Sequence, residues 1–251
     1  MRMKLDFYYW SYQCPLNREI KNLLSKYEDC VDIEIHNVSH SPDLVKELRM
    51  YFPTLTIVND ELRYFAPLTD KFMSKLCEGE LPEVRPYRPN LGTEIFAGDI
   101  IELTPDNYHL AEQCTGHHNS QNCDSKQSFL RQLGLEVCGF LNMAEDGSLL
   151  GGVEYLPSLN VPYDIPKDIR TAFITCVYRG NENYDYKSAP LLKLEEHLSK
   201  TYDRVVVVSD EDGVFPNGDL DFFLRNGYED EGIISEEAGY CKLHLLSKNL
   251  R

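Results

Sequence analysis

Residues 137–156 read VCGFLNMAEDGSLLGGVEYL. Asp146-Gly147 lies between two apolar runs, a strong signal for a tight hairpin turn, so Val137 to Met143 and Leu149 to Leu156 are expected to pair as antiparallel strands. Periodicity extends the pattern both ways. Before the hairpin lie a strand, Ile100 to Leu103, and two helices, Asn107 to Gln113 and Asp124 to Leu135. After it come a strand Ala172 to Tyr178, a helix Ala189 to Leu198, a buried strand Tyr202 to Val208, a helix Gly218 to Arg225 and a closing strand Tyr240 to Leu246. Strands interleaved with helices make this half a mixed α/β (α+β) domain.

The chain has 251 residues, 42% apolar and 26% charged, a globular composition that excludes a disordered tail, a collagen-like fibre and a coiled-coil rod. Glu80 to Asn90 reads ELPEVRPYRPN, and its three prolines suit neither a helix nor a ladder, so it reads as an extended linker. The expected division is a first domain over residues 1–85, a linker over 86–94 and a second domain over 95–251. Before residue 92 there are 12 basic and 14 acidic residues, and after it 13 and 27, so the net charge of −16 divides as −2 and −14. A chain this acidic is repelled by phosphate backbones, which speaks against nucleic acid and for a cationic partner. No window holds the roughly 18 apolar residues of a membrane span, and the first ten residues do not read as a signal peptide, so no membrane partner and a cytoplasmic location are expected. Eight cysteines spread over so long a chain are expected to be mostly reduced and mostly in the core.

The first half reads as strand Lys4 to Trp10, helix Asn17 to Tyr27, strand Val31 to Ile35, a helix capped by Ser41 with Pro42 at its first position, strand Phe52 to Val58, a turn at Asn59-Asp60, strand Leu62 to Phe65 and a helix capped by Thr69. This order, with Cys14-Pro15-Leu16-Asn17 at the first strand-to-helix turn and Pro53 placed beside it, resembles the thioredoxin fold over nearly all of residues 3 to 80. A helix N-terminus stabilises a thiolate, which makes Cys14 a candidate reactive thiol. Asn17 stands where the second cysteine of a C-x-x-C pair would be, so an internal disulfide exchange is not expected.

In the second half, four stretches in order resemble the GNAT superfamily of acyl-CoA N-acyltransferases over roughly residues 95 to 248, and in particular the YoaP-type branch. They are Gly151-Gly152-Val153-Glu154-Tyr155-Leu156-Pro157, Phe173-Ile174-Thr175-Cys176-Val177-Tyr178-Arg179-Gly180, Leu191-Leu192, and Phe222-Phe223-Leu224-Arg225-Asn226-Gly227-Tyr228. The resemblance implies acetyl-CoA as co-substrate and a small-molecule or peptide amine as acceptor. It implies a strand ending at Cys176, Val177 and Tyr178 that splays from the strand at Val205 to Val208 and offers its free edge to the pantetheine amides. It further implies that Gly180 and the segment Tyr186, Lys187, Ser188 and Ala189 meet the pyrophosphate at a helix N-terminus. Tyr186 and Ser188 stand where that family places glycines, Pro190 removes one N–H from the first turn, and Phe223 replaces a tyrosine that many relatives use as thiol acid.

Glu154 reads as a general base or water-positioning group, or as a plain strand carboxylate. Cys176 reads as a core residue near the acyl position. Cys114, His117, His118 and Cys123 have the residue types of a zinc site without a standard spacing, and no metal is assigned to them. His197, in Glu195-Glu196-His197, reads as solvated, and Asp210-Glu211-Asp212 as a solvated loop or a holder of a basic substrate.

Overall fold

A computed structural model describes residues 2–14, 16–86, 88–115, 124–213 and 217–251. The chain forms two compact units, one of residues 1–85 with 162–164, the other of 86–161 with 165–251.

The first unit is a four-stranded sheet with three helices. Its strands are β1 (Met3–Tyr9), β2 (Val31–Asn37), β3 (Thr54–Val58) and β4 (Leu62–Tyr64), in the order β2-β1-β3-β4. β1 runs parallel to β2 and antiparallel to β3, and β3 runs antiparallel to β4. The β3–β4 turn places Asn59 and Asp60 at φ 51° and 58°, the left-handed pair that a tight hairpin demands. Helices α1 (Asn17–Leu24), α2 (Pro42–Glu47) and α3 (Asp70–Cys77) follow the expected order. Leu5, Phe7, Ile20, Leu24, Met73 and Leu76 form the core. The Thr69 hydroxyl accepts from Phe72 N at 3.2 Å and caps α3. Ser41 makes no such bond, contrary to its expected role, because its hydroxyl does not meet the first-turn donors of α2, which starts at Pro42. Cys30 and Cys77 form a disulfide between the start of β2 and the end of α3, so these two depart from the expected reduced state.

The second unit is built on a seven-stranded sheet of order β12-β13-β11-β9-β8-β7-β6. Its strands are β6 (Asp99–Leu103), β7 (Gly139–Met143), β8 (Leu149–Pro157), β9 (Thr171–Tyr178), β11 (Arg204–Asp210), β12 (Glu229–Glu237) and β13 (Cys241–Asn249). Two short strands, β5 (Glu94–Ile95) and β10 (Tyr184–Asp185), pair separately in parallel. β9 and β11 are parallel, joined by α5 (Ser188–Leu198), and the other neighbours in the large sheet are antiparallel. Helix α4 (Asp124–Gln132) and α6 (Leu220–Arg225) complete the unit. Helix α5 packs across β6, β7 and β8 through a core that includes Leu191, Leu194 and Leu198 with Val153 and Ile174.

The expected helix at Asn107 to Gln113 is instead a 3-10 turn, Tyr108–Thr115. Tyr108 and Glu112 are buried in it, so tertiary packing sets the winding there. Strand β12 escapes sequence reading. Its EDEGIISEE has no alternating apolar pattern, and it holds its place as a mostly exposed edge paired to β13 across two register shifts.

Candidate functional site

Three features of the second unit meet along β8 and β9. The first is a break in the sheet. β9 and β11 pair at Thr171 to Phe173 against Arg204 to Val206 and no further, so the edge of β9 from Ile174 to Tyr178 parts from β11. β11 continues to Asp210 against β13 alone. On its other side β9 pairs with β8 throughout, with a bulge that leaves Thr175 as the extra residue between the pairs Glu154–Cys176 and Tyr155–Ile174.

The second feature is a buried charged network on β8. Glu154, 4% exposed, sits beside Cys176 in register. Its Oε2 accepts from Tyr108 Oη at 2.7 Å and from Lys126 Nζ, which is itself 5% exposed. The 3-10 turn supplies Tyr108 and α4 supplies Lys126, whose ammonium also lies 5.0 Å from the Tyr108 ring centroid. Burial, the largest single influence, lowers the Lys126 pKa, but the Glu154 carboxylate together with smaller contributions from Cys176 and Cys138 raises it by more, so the net pKa is raised. The pair is therefore a held ion pair. Cys138, just before β7, has its pKa pushed up to about 12, first by burial and then by the Glu154 charge, so its thiol stays protonated. Burial followed by the Glu154 charge raises the pKa of the buried Tyr178 hydroxyl well above 10. The Tyr178 ring lies against Gly152, where a Cβ would come within 2.7 Å of it.

The third feature is the entry to α5. Its first intrahelical bond is Leu191 N to Lys187 O, leaving the N–H groups of Lys187, Ser188 and Ala189 to be satisfied, while Pro190 has none. The Asp185 carboxylate, 5% exposed, takes two of them. Its Oδ1 accepts from Lys187 N at 2.8 Å and Ser188 N at 3.1 Å, and its Oδ2 from the Ser188 hydroxyl at 2.5 Å. The Ser188 hydroxyl accepts in turn from Asn226 Nδ2 at 3.1 Å. The Tyr186 side chain turns away from the helix start, its ring edge-on to Phe96 and its hydroxyl accepting from Asn181 Nδ2 at 2.9 Å. Asn142 fixes the Tyr186 backbone by donating to its carbonyl at 3.1 Å and to that of Phe96 at 2.8 Å. A Cβ at Gly151 would lie 2.6 Å from Tyr186 O, so glycine is required for this close approach.

A cleft of about 210 Å³ lies beside the start of α5, lined by residues 89–93 and by Asp185, Lys187, Asp219, Asp221, Phe222 and Arg225. Lys187 is 5% exposed with its Nζ 4.1 Å from the Phe222 ring centroid, and burial lowers its pKa.

Cys176 is half-buried, next to Glu154, and Val177 is buried in the core. Gly180 and Ala189 flank the loop at partial exposure. Phe223 is buried against Phe222 and Tyr228. His197 is not solvated as expected. It packs between Phe140 and Tyr155, and burial lowers its pKa. Glu195 is also buried, paired to Lys248 at 2.6 Å, because α5 turns that position towards β13. Asp210 is a buried turn former, accepting from Lys242 N at 2.9 Å and Gly213 N at 3.1 Å, while Glu211 and Asp212 are exposed. In the first unit, Pro53 O accepts from Trp10 N at 3.0 Å, and the half-buried Cys14 lies two residues before the α1 cap residue Leu16. His117, His118 and Cys123 lie outside the described residues, as does Pro15.

Sequence reading did not single out Tyr108, Lys126 or Asp185 as site residues. Asp185 carried a usable signal, an aspartate three residues before Ser188 at a helix start. The Tyr108 and Lys126 contacts to Glu154 span 46 and 28 residues, beyond any local pattern.

No family model matches this chain, and no curated protein matches its sequence. Solved structures of N-acetyltransferases are similar to it. An aminoglycoside 6'-N-acetyltransferase complexed with coenzyme A is 11% identical over 61% of this chain and 97% of its own, with TM-score 0.44. An N-acetyltransferase from Staphylococcus aureus Mu50 is 14% identical over 61% and 98%, with TM-score 0.44. A GNAT family N-acetyltransferase from Escherichia coli in complex with CoA is 14% identical over 68% and 86%, with TM-score 0.42.

Proposed function

We propose that the second unit is a thioester-dependent N-acyltransferase, with an acetyl-CoA-type donor and an amine acceptor. The observation that carries this reading is the parting of β9 from β11 after Phe173, directly beside the buried Glu154. An exposed strand edge offers alternating N–H and C=O groups, which suit an extended arm bearing secondary amides. A thioester supplies an activated carbonyl and a thiolate leaving group. The residues then have three tasks: to orient the arm, to receive the amine's proton, and to offer a proton near the departing sulfur.

Ile174 to Tyr178 orient the arm by main-chain pairing. Glu154 receives the proton, directly or through water. Lys126 and Tyr108, both bound to its Oε2, are positioning residues that fix the carboxylate. The Tyr178 hydroxyl, kept protonated by burial and the nearby Glu154 charge, is the donor for the leaving sulfur. The start of α5, by contrast, does not fit a diphosphate, since Asp185 already takes two of its three N–H groups.

The first unit is thioredoxin-like in this reading, supported by the strand order β2-β1-β3-β4 with β1 and β2 parallel.

The test is calorimetry and thermal shift with CoA and with pantetheine, followed by thiol release from acetyl-CoA with a panel of primary amines. A ligand at 100 times its Kd stabilises a fold by about 2.7 kcal/mol, which is readily measured. Glu154→Gln should bind the donor normally and lose about a hundredfold in transfer. Absence of binding by both CoA and pantetheine overturns the reading.

A further inference from the structure

We infer that the donor is recognised through its pantetheine arm alone, the adenosine diphosphate portion contributing almost nothing, because Asp185 stands as the chain's own anion at the start of α5. This rests on the acyl-transfer reading above and narrows its donor.

The donor count at α5 decides the matter. Of the four backbone positions that open the helix, Lys187 N and Ser188 N are bound to the Asp185 carboxylate and Pro190 carries no N–H, which leaves Ala189. The Ser188 hydroxyl is also directed to Asp185 and held by Asn226. A helix N-terminus attracts an anion through these same groups and its dipole, and here both act on a carboxylate that is 5% exposed. A diphosphate would have to displace that carboxylate or sit against it.

The loop that precedes α5 is committed as well. Asn181 O accepts from Gly92 N at 2.8 Å, Tyr184 and Asp185 pair with Glu94 and Ile95, and Asp185 O accepts from Phe96 N at 3.0 Å. No Cβ fits at Gly92, where it would lie 2.2 Å from the Asn183 carbonyl carbon, so the segment lies tight against the loop. The adjacent cleft adds two further carboxylates, Asp219 and Asp221, against Arg225 and a Lys187 that is buried over Phe222. On its β11 side β9 pairs only as far as Phe173. The arm site and the phosphate site have therefore diverged in one molecule.

The test compares CoA, pantetheine and adenosine 3',5'-bisphosphate by calorimetry on the full chain. CoA and pantetheine are expected to bind within about fivefold of each other, a difference of about 1 kcal/mol or less, with no saturable binding of the bisphosphate. Asp185→Asn keeps an acceptor oxygen for the helix while removing the charge, and it should tighten CoA by about fivefold or more without changing pantetheine. Its thermal unfolding midpoint shows that the variant is folded, and the wild-type comparison does not depend on it. A wild-type preference for CoA above about fivefold, or tight bisphosphate binding, overturns the inference while leaving acyl transfer standing. Failure of CoA and pantetheine alike overturns both. If Asp185→Asn leaves CoA affinity unchanged, Asp185 is not the determinant and the inference falls.

Discussion

Removing one charge of the Glu154–Lys126 pair should destabilise the second unit far more than removing both. Glu154 and Lys126 are 4% and 5% exposed, so neither charge has water to fall back on. Glu154→Gln leaves the Lys126 ammonium buried without its carboxylate, and breaking a buried pair from one side costs about 3–5 kcal/mol. With a urea dependence of about 2 kcal/mol per M, the denaturation midpoint should fall by about 1.5–2.5 M at pH 7, followed by far-UV circular dichroism. The pH dependence follows from Lys126, whose folded pKa is raised above the unfolded value, burial lowering it and the groups around it, Glu154 first, together raising it by more. A raised pKa gives stability that is fully present below the unfolded pKa of about 10.4 and is lost as pH rises through the folded value. In Glu154→Gln the attraction is gone and burial remains, so the ammonium becomes a liability that weakens as pH approaches 10. The gap between wild type and variant should therefore narrow from pH 7 to pH 10. The double variant Glu154→Gln with Lys126→Met removes both charges and should recover most of the loss. A midpoint shift under about 0.5 M for Glu154→Gln, or a double variant as unstable as the single one, would refute the buried-pair argument.

Gly151→Ala should cost about 1–3 kcal/mol in a thermal melt, because the added Cβ meets the Tyr186 carbonyl oxygen at 2.6 Å and that backbone is held by Asn142. In the first unit, Thr69→Ala should cost about 1 kcal/mol through loss of the α3 cap, whereas Ser41→Ala should stay within about 0.5 kcal/mol since Ser41 makes no cap bond; urea titrations distinguish the two. Limiting iodoacetamide at pH 8 followed by mass spectrometry should leave Cys138 unlabelled while Cys14 and Cys176 react, given a Cys138 pKa pushed up to about 12 and its full burial. Early labelling of Cys138 in folded protein would contradict its placement.

Local patterns account for most of the elements. The Asp146-Gly147 hairpin, the all-valine strand Val205–Val208 and the Thr69 cap were all legible in the sequence, because turn chemistry, period-two alternation and capping act over a few residues. Strand β12 was not legible, since its pairing depends on β13 and on no pattern of its own. Within the site, the family resemblance singled out Glu154 and the loop before α5, and aligning Leu191-Leu192 on that family's leucine pair placed Tyr186 close to the helix start. Only the tertiary structure decided what those residues do. Glu154 finds its hydrogen-bond partners in Tyr108 and Lys126, which lie 46 and 28 residues away in the chain. Tyr186 swings to Phe96, and Asp185 takes the helix N-terminus in its stead. The physical reason is one of range. Hydrogen bonds to a helix start are local and carry a sequence signature, whereas desolvation and the pairing of a buried charge depend on which distant segments close over it.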